Sequence, residues 1–400
     1  MAEPRLDTRT IRIGLIGAGM AGQAHAFGYR NASMADALRG VRVERTHVVD
    51  AFAPLAQDVA ERYGFERWGT SVDELLADPA IDAVSVALPN NQHLDVLTKV
   101  LASGKHVLTE KPLGLDAAQA ARLAGLAAAP GRAGAVDAVG FSYRRLPGLA
   151  ALRAAVAEGE IGRMYHFEAT YYCHHAADPA DPFTWRFDQA SSGGGALIDI
   201  GLHAIDAVEF VVGAITEVTG ARFATYISER TDRAGVVHRV TNDDAAALLL
   251  VAGDGATGTL QASRVAHSTP NSLAIRVFGE RGMVSFTTEE LNSFVIHQAG
   301  GDPRFDGPRR VITGPLHGAY VDVSSFRSRG VGTGYGEAFV AQVQAFLGCI
   351  LDGTRSTTDF AAAAQTMRVL DAATRSAASG RPALLGADAD ADADVAQVTA

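Results

Sequence analysis

The sequence predicts two α/β units in tandem: an N-terminal Rossmann domain with a parallel sheet, then an α+β domain with a large, mostly antiparallel, open-faced sheet. Three observations carry this. A glycine turn, Gly17-Ala18-Gly19-Met20-Ala21-Gly22, directly follows an apolar run and opens a helical pattern. Short β-branched runs alternate with helical patterns through the first third of the chain, which is the mark of βαβ units. After about residue 160 the strand-like runs follow one another with few helices between them, as in an antiparallel sheet.

The first unit is expected over 1–141. Its strands are read at 11–16, 43–50, 84–88, 106–109 and 135–141, and its helices at 54–63, 71–76, 92–103 and 116–128. Gly64 and Gly104 fall where helix C-caps belong. The second unit is expected over 142–385. Its strands are read at 163–172, 217–227, 245–251, 256–263, 273–278 and 282–286, with a helix over 195–211. Residues 298–334 are rich in Gly and Pro and lack periodicity, which suggests a lid or binding loop. Two further helices are expected near 337–351 and 360–379. The alternating Ala-Asp run within 386–400 reads as a disordered acidic tail.

Composition narrows the function. The 400 residues are 48% hydrophobic and 20% charged, with a formal net charge of −10. An acidic balance disfavours nucleic acid as a partner. No apolar run approaches the roughly 18 residues of a membrane span, and the N-terminus has no apolar signal core, so neither a membrane nor secretion is expected. Two widely spaced cysteines, Cys173 and Cys349, fit a reducing compartment, hence a cytoplasmic location. His174-His175 suggests no metal, because neighbours on a strand point to opposite faces and no third ligand is suitably spaced.

In its strand–turn–helix setting the glycine turn predicts a dinucleotide site. Gly17 makes the tight turn, Gly19 lets the backbone approach a pyrophosphate, and Gly22 lets helix and strand pack closely. Met20 and Ala21 complete the loop. Asp50 ends the second strand, where a carboxylate would bind ribose hydroxyls. It lies 33 residues after Gly17 (50 − 17), so an insertion is expected around 31–42. The residues after Asp50 include no base to meet a 2′-phosphate, which favours NAD over NADP.

Asp199 and His203 stand four apart on a predicted helix and so share a face. Loss of a hydroxyl proton needs a base near neutrality, which suits His203, with Asp199 beside it to orient and tune it. Lys111 follows a strand end and can stabilise a developing alkoxide, or share the proton-accepting role with His203 through a relay. The three are the candidate catalytic residues.

Thr109-Glu110-Lys111-Pro112, the segment 193–206 with its Gly-x-x-x-Asp-x-x-x-His pattern, Leu88-Pro89-Asn90 with His93, and Trp185-Arg186, together with the glycine turn, resemble the glucose–fructose oxidoreductase / inositol dehydrogenase (Gfo/Idh/MocA) family. The segments 141–147, 178–187 and 334–337 look most like its levoglucosan and inositol dehydrogenase members. The resemblance implies the same Lys111–Asp199–His203 trio and an NAD-dependent oxidation of a secondary ring hydroxyl in a sugar, anhydrosugar or cyclitol. It implies cofactor contacts from Leu88, Pro89, Asn90, His93, Glu110, Lys111, Trp185 and Arg186. Tyr335 is a further cofactor candidate, and Tyr143, Arg144 and Arg186 join the trio as substrate candidates. Alternatives are the same chemistry on an amino sugar, sugar nucleotide or antibiotic glycoside, and an NAD-binding regulator without catalysis. The open sheet face leads us to expect a homo-oligomer, a dimer or tetramer.

Overall fold

Strand β1 (Arg9–Ile16) is buried on both faces from Ile13 to Ile16 because it lies inside a parallel sheet covered on both sides. It pairs with β2 (Val41–Val49) on one edge and β4 (Ala83–Val86) on the other. With β3 (Arg67–Gly69), β5 (His106–Thr109) and β6 (Asp137–Val139) it forms a six-stranded sheet of order β3-β2-β1-β4-β5-β6. The computed structural model describes residues 9–318, 323–324, 326–328 and 330–385. The expected tail over 386–400 lies outside them.

The crossovers are α1 (Met20–Asn31), α2 (Ala53–Tyr63), α3 (Val72–Ala77), α4 (His93–Ala102) and α5 (Ala117–Ala127). Their ends follow local chemistry. The Ser71 hydroxyl and the Asp116 carboxylate accept from the backbone N–H groups of Glu74 and Gln119 and so cap α3 and α5. Gly64 closes α2 in the left-handed conformation at φ 74°. β3 was not expected, since three residues on an edge carry no periodicity. The segment over 31–42, where an insertion is expected, forms two short 3₁₀ turns, Ala32–Met34 and Asp36–Leu38, between α1 and β2.

An unanticipated helix, α6 (Pro147–Ala157), opens the second unit; its Ala-rich run carries little helical contrast. The sheet then takes β7 (Met164–Cys173), β8 (Ile215–Ala224), β11 (Ala245–Ala252), β12 (Ala256–Ser263), β13 (Asn271–Gly279), β14 (Gly282–Thr287), β15 (Ser293–Gln298), β16 (Arg309–Ile312) and β17 (Ala383–Leu384). Their spatial order is β16-β15-β14-β13-β7-β12-β11-β8-β17, antiparallel throughout except for β7 beside β12. β9 (Glu229–Thr231) and β10 (Val237–Arg239) form a separate hairpin. The stretch expected to be loop over 298–334 thus contains β16, whose exposed edge residues conceal the pattern.

Two short elements lead into the site: α7 (Gln189–Ser192), and α8 (Leu202–Val211), which begins in a π turn at Leu197–Gly201. α6, α8 and the last helix, α10 (Phe360–Ser379), cover one face of the nine-stranded sheet. The other face is more polar than the sequence reading assumes. Glu168, Thr257, Thr259, Gln261 and Arg276 are exposed on it, with Leu249 as an exposed large apolar residue. The preceding helix, α9 (Tyr335–Asp352), returns to the first sheet, where Val343, Phe346, Leu347 and Ile350 pack with Ile11, Ile13 and Tyr29. Among the described residues no helix is long and apolar enough to cross a membrane.

Candidate active site

The glycine turn is built as an interlock. Gly17 sits at φ 95°, and a Cβ there would meet the Ala87 carbonyl at 2.2 Å. A Cβ on Gly22 would lie 1.9 Å from the Gly17 carbonyl, whereas one on Gly19 would meet nothing within 4 Å. The outer two glycines therefore serve packing, and the middle one keeps open the space ahead of α1's N-terminus, where a pyrophosphate would face free N–H groups. Asp50 accepts from the Ala18 N–H at 2.8 Å and from the Phe52 N–H at 2.9 Å, so it ties the turn to the end of β2. These residues fit a dinucleotide.

From this turn Met20 reaches a cleft of about 660 Å³ that also exposes Glu110, Lys111, His175, Arg186, Asp199, His203 and Tyr335. Two ends of secondary structure meet there. Glu110 and Lys111 follow β5, at the carboxyl edge of a parallel sheet. Asp199 lies in the π turn, and His203 one turn further on. The start of that segment is fixed by Asp243, whose carboxylate accepts from the Gly195 N–H at 2.8 Å and the Leu197 N–H at 3.0 Å. A Cβ on Gly195 would collide with the Asp243 carbonyl at 1.8 Å, which explains glycine at this place.

Lys111 Nζ donates to the Asp199 carbonyl at 2.5 Å and stands 3.6 Å from its carboxylate. Burial alone would raise the Asp199 carboxyl, but Lys111, then His175, Arg186 and Arg264, hold it below the usual range. His203 is 8% exposed. Burial and then Lys111 push its pKa well below 6.5, against the pull of Asp199, so the imidazole is neutral at neutral pH. Its Nδ1 is buried without a hydrogen-bond partner among the described residues. Packing orients the ring instead, with Tyr143 at 4.7 Å, Tyr171 at 6.1 Å and Phe141 at 6.4 Å between centroids.

Several expected contacts lie elsewhere. Arg144 grips Asp206 at 2.7–2.9 Å in a buried pair and faces away from the cleft. Tyr143 is 1% exposed and bonds the Tyr171 hydroxyl at 2.5 Å behind the cleft wall. His93 is fully buried between the carbonyls of Pro112 (2.6 Å) and Leu88 (3.0 Å), as a brace under the loops rather than a cofactor contact. Asn90 donates to the Ser192 carbonyl at 2.8 Å and joins the two units. Leu88 and Pro89 are half-buried, with Leu88 beside Gly17. Trp185 is half-buried under the Arg186 guanidinium, 4.6 Å from its ring. Local pattern does not distinguish such residues from ligands, since Arg144, Tyr143, His93 and Asn90 each take a partner distant along the chain.

The structure adds groups the sequence left unassigned. His25, fully buried in α1, meets Glu110 at 2.9 Å and Ser85 at 2.9 Å, and Ser85 meets the Tyr29 hydroxyl at 3.0 Å. Tyr171 donates to Asn271 at 2.7 Å, and both line the cleft. His175 approaches the Asp199 carboxylate at 3.6 Å. The His174-His175 pair close after the strand expected over 163–172 was the available signal.

Residues 11–137 match the model of an oxidoreductase family with an NAD-binding Rossmann fold (Gfo/Idh/MocA), and residues 149–285 match the Gfo/Idh/MocA C-terminal domain. The chain is 30% identical to a levoglucosan dehydrogenase of Pseudarthrobacter phenanthrenivorans over 92% of its own length and 97% of that protein's. It is 27% identical to an inositol 2-dehydrogenase of Rhizobium meliloti, over 93% and 98%. A solved levoglucosan dehydrogenase, in complex with NADH and L-sorbose, superposes with a TM-score of 0.89 at 30% identity, covering 94% of this chain and 99% of that one. The chain therefore belongs to the Gfo/Idh/MocA family and is an NAD-dependent oxidoreductase.

Proposed function

We propose that this protein oxidises a secondary ring hydroxyl of a sugar, anhydrosugar or cyclitol to the ketone, with His203 as general base. The observation that carries the reading is the meeting of Lys111, Asp199 and neutral His203 in one cleft with Met20 of the nucleotide turn. NAD, when bound, supplies the hydride acceptor. Lys111 holds the hydroxyl oxygen and stabilises the negative charge that grows on it. Since Nδ1 of His203 is sealed off, Nε2 is the nitrogen left to take the hydroxyl proton. Asp199 holds Lys111 in place through its carbonyl and its carboxylate. Arg186 and Asn271 offer hydrogen bonds to further ring hydroxyls. The absence of a basic residue among Ala51, Phe52, Ala53 and Pro54, directly after Asp50, supports NAD over NADP.

The levoglucosan and inositol dehydrogenase relatives support the substrate class. The test is a panel of pyranoses, levoglucosan, inositols and amino sugars, read by formation of NADH. Turnover confined to amino sugars would replace this reading by the aminoglycoside-type alternative; none on any polyol, with NADH binding retained, would favour a regulator. Two free cysteines support a cytoplasmic location. Self-association through the open sheet face belongs to the same reading, and light scattering of the eluted protein measures it.

A further inference from the structure

Behind Asp199 a second line of contacts enters the site from β7. Cys173 is the last residue of that strand, and its Sγ lies 3.0 Å from Nδ1 of His175. The other ring nitrogen, Nε2, stands 3.6 Å from Asp199 Oδ2, while Oδ1 of the same carboxylate stands 3.6 Å from Lys111 Nζ. The two carboxylate oxygens are therefore divided between Lys111 and His175. The loop that carries the histidine is clamped at both ends, with Ala266 N–H donating to the Cys173 carbonyl at 2.9 Å and Ala176 N–H donating to the Arg264 carbonyl at 3.0 Å.

We propose that His175 is a positioning residue, which presents Nε2–H to Asp199 and fixes the plane of its carboxylate so that Oδ1 faces Lys111, with the Cys173 thiol selecting the tautomer. This rests on the dehydrogenase reading and extends it by one residue that the trio does not include. Burial pushes the Cys173 thiol up to about 11, so it keeps its proton and donates it to Nδ1. Desolvation in the cleft lowers the imidazole's pKa, and Arg264, Arg186 and Lys111 add to this against Asp199. A neutral ring that accepts at Nδ1 carries its hydrogen on Nε2, toward Oδ2. At 3.6 Å the contact is longer than a hydrogen bond and acts as a close dipolar contact between the ring edge and Oδ2. Rotation of the carboxylate would withdraw Oδ1 from Lys111. The ammonium would then be held by the Asp199 carbonyl alone, and the alkoxide position would move with it.

The test compares H175L, which removes the donor, with H175Q, whose amide keeps one near the Nε2 position. C173V and C173S repeat the comparison one step back. Each is measured with the sugar or cyclitol that turns over fastest, alongside NADH affinity by fluorescence and the thermal midpoint. We expect H175L to lower kcat by about 10- to 100-fold, the scale of a small misplacement of a reacting group. KM and NADH affinity should shift less than about threefold, and H175Q should recover most of the loss. C173V should lose activity and C173S should retain more of it; this pair carries the test if H175L fails to fold. Equal losses in H175L and H175Q, or a loss confined to KM, would overturn the proposal in favour of a packing role or a direct substrate contact. If K111M and H203A lose turnover while H175L keeps it, only the role of His175 fails. If those two keep full turnover, the dehydrogenase mechanism itself fails.

Discussion

Lys111 donates its ammonium to the main-chain carbonyl of Asp199 at 2.5 Å, across the boundary between the two units. One residue follows β5 of the Rossmann sheet, the other lies in the π turn that leads into α8. A π turn widens the helical ladder locally and is common at functional sites. Here it brings a backbone acceptor and a carboxylate to the same cation. The contact joins the domain that carries the nucleotide turn to the helix that carries His203.

Removing that cation should be costly to turnover and cheap to binding. K111M is expected to lower kcat by about 10²- to 10³-fold, the scale of losing a preorganised electrostatic stabiliser. NADH affinity should stay within about threefold by fluorescence titration, because the glycine turn and Asp50 are untouched. Wild-type kcat in K111M would rule out an alkoxide role for Lys111.

The pH profile follows from His203. Its folded pKa is depressed, so the ring is neutral near pH 7 and becomes imidazolium only as pH falls through that lowered value. Oxidation should therefore hold level around neutrality and fail on an acid limb below pH 6.5. Lys111 lowers this pKa and Asp199 raises it. In whatever residual activity remains, K111M should move the limb toward 6.5 and D199N should move it further down. The logarithm of kcat/KM against pH reads both shifts, and movement in the opposite directions would remove His203 from the role of base.

The glycine turn makes a paired prediction. G19A adds a methyl to open space, so its thermal midpoint should match the wild type while NADH affinity drops about tenfold or more, as the backbone can no longer approach a pyrophosphate. G22A drives a methyl into the Gly17 carbonyl and should cost about 1–3 kcal/mol of stability, the usual range for overpacking. Denaturant melts of the two variants separate the outcomes.

Arg144 tests the boundary between structure and recognition. Its pair with Asp206 is buried, so R144A leaves a carboxylate uncompensated and should cost about 3–5 kcal/mol. The KM for substrate should stay within about twofold in the fraction that folds. A large rise in KM with unchanged urea stability would return Arg144 to the substrate site.

What was readable in advance was local. β1, the glycine turn and α1 form one continuous segment, and Asp199 and His203 are neighbours on one helix, so spacing along the chain already places them. β5 and α10 fall where apolar runs and N-cap residues put them, and Asp359 caps α10 as Asp116 caps α5. β3, β16 and α6 escaped because short edge strands and an alanine-rich helix carry little periodic contrast.

The sequence by itself determined the nucleotide turn, the alternation of strands with helices in the first unit and the placing of Asp199 beside His203, because chain spacing and apolar periodicity act over a few residues. Only the tertiary structure decided who else stands in the cleft. Arg144 belongs to Asp206, 62 residues away, and Glu110 belongs to His25, 85 residues away. Tyr143 and His93 turn inward, and His175 turns toward Asp199. A polar side chain takes whichever partner the fold brings within about 3 Å, and that distance is set by how the two sheets and their helices pack.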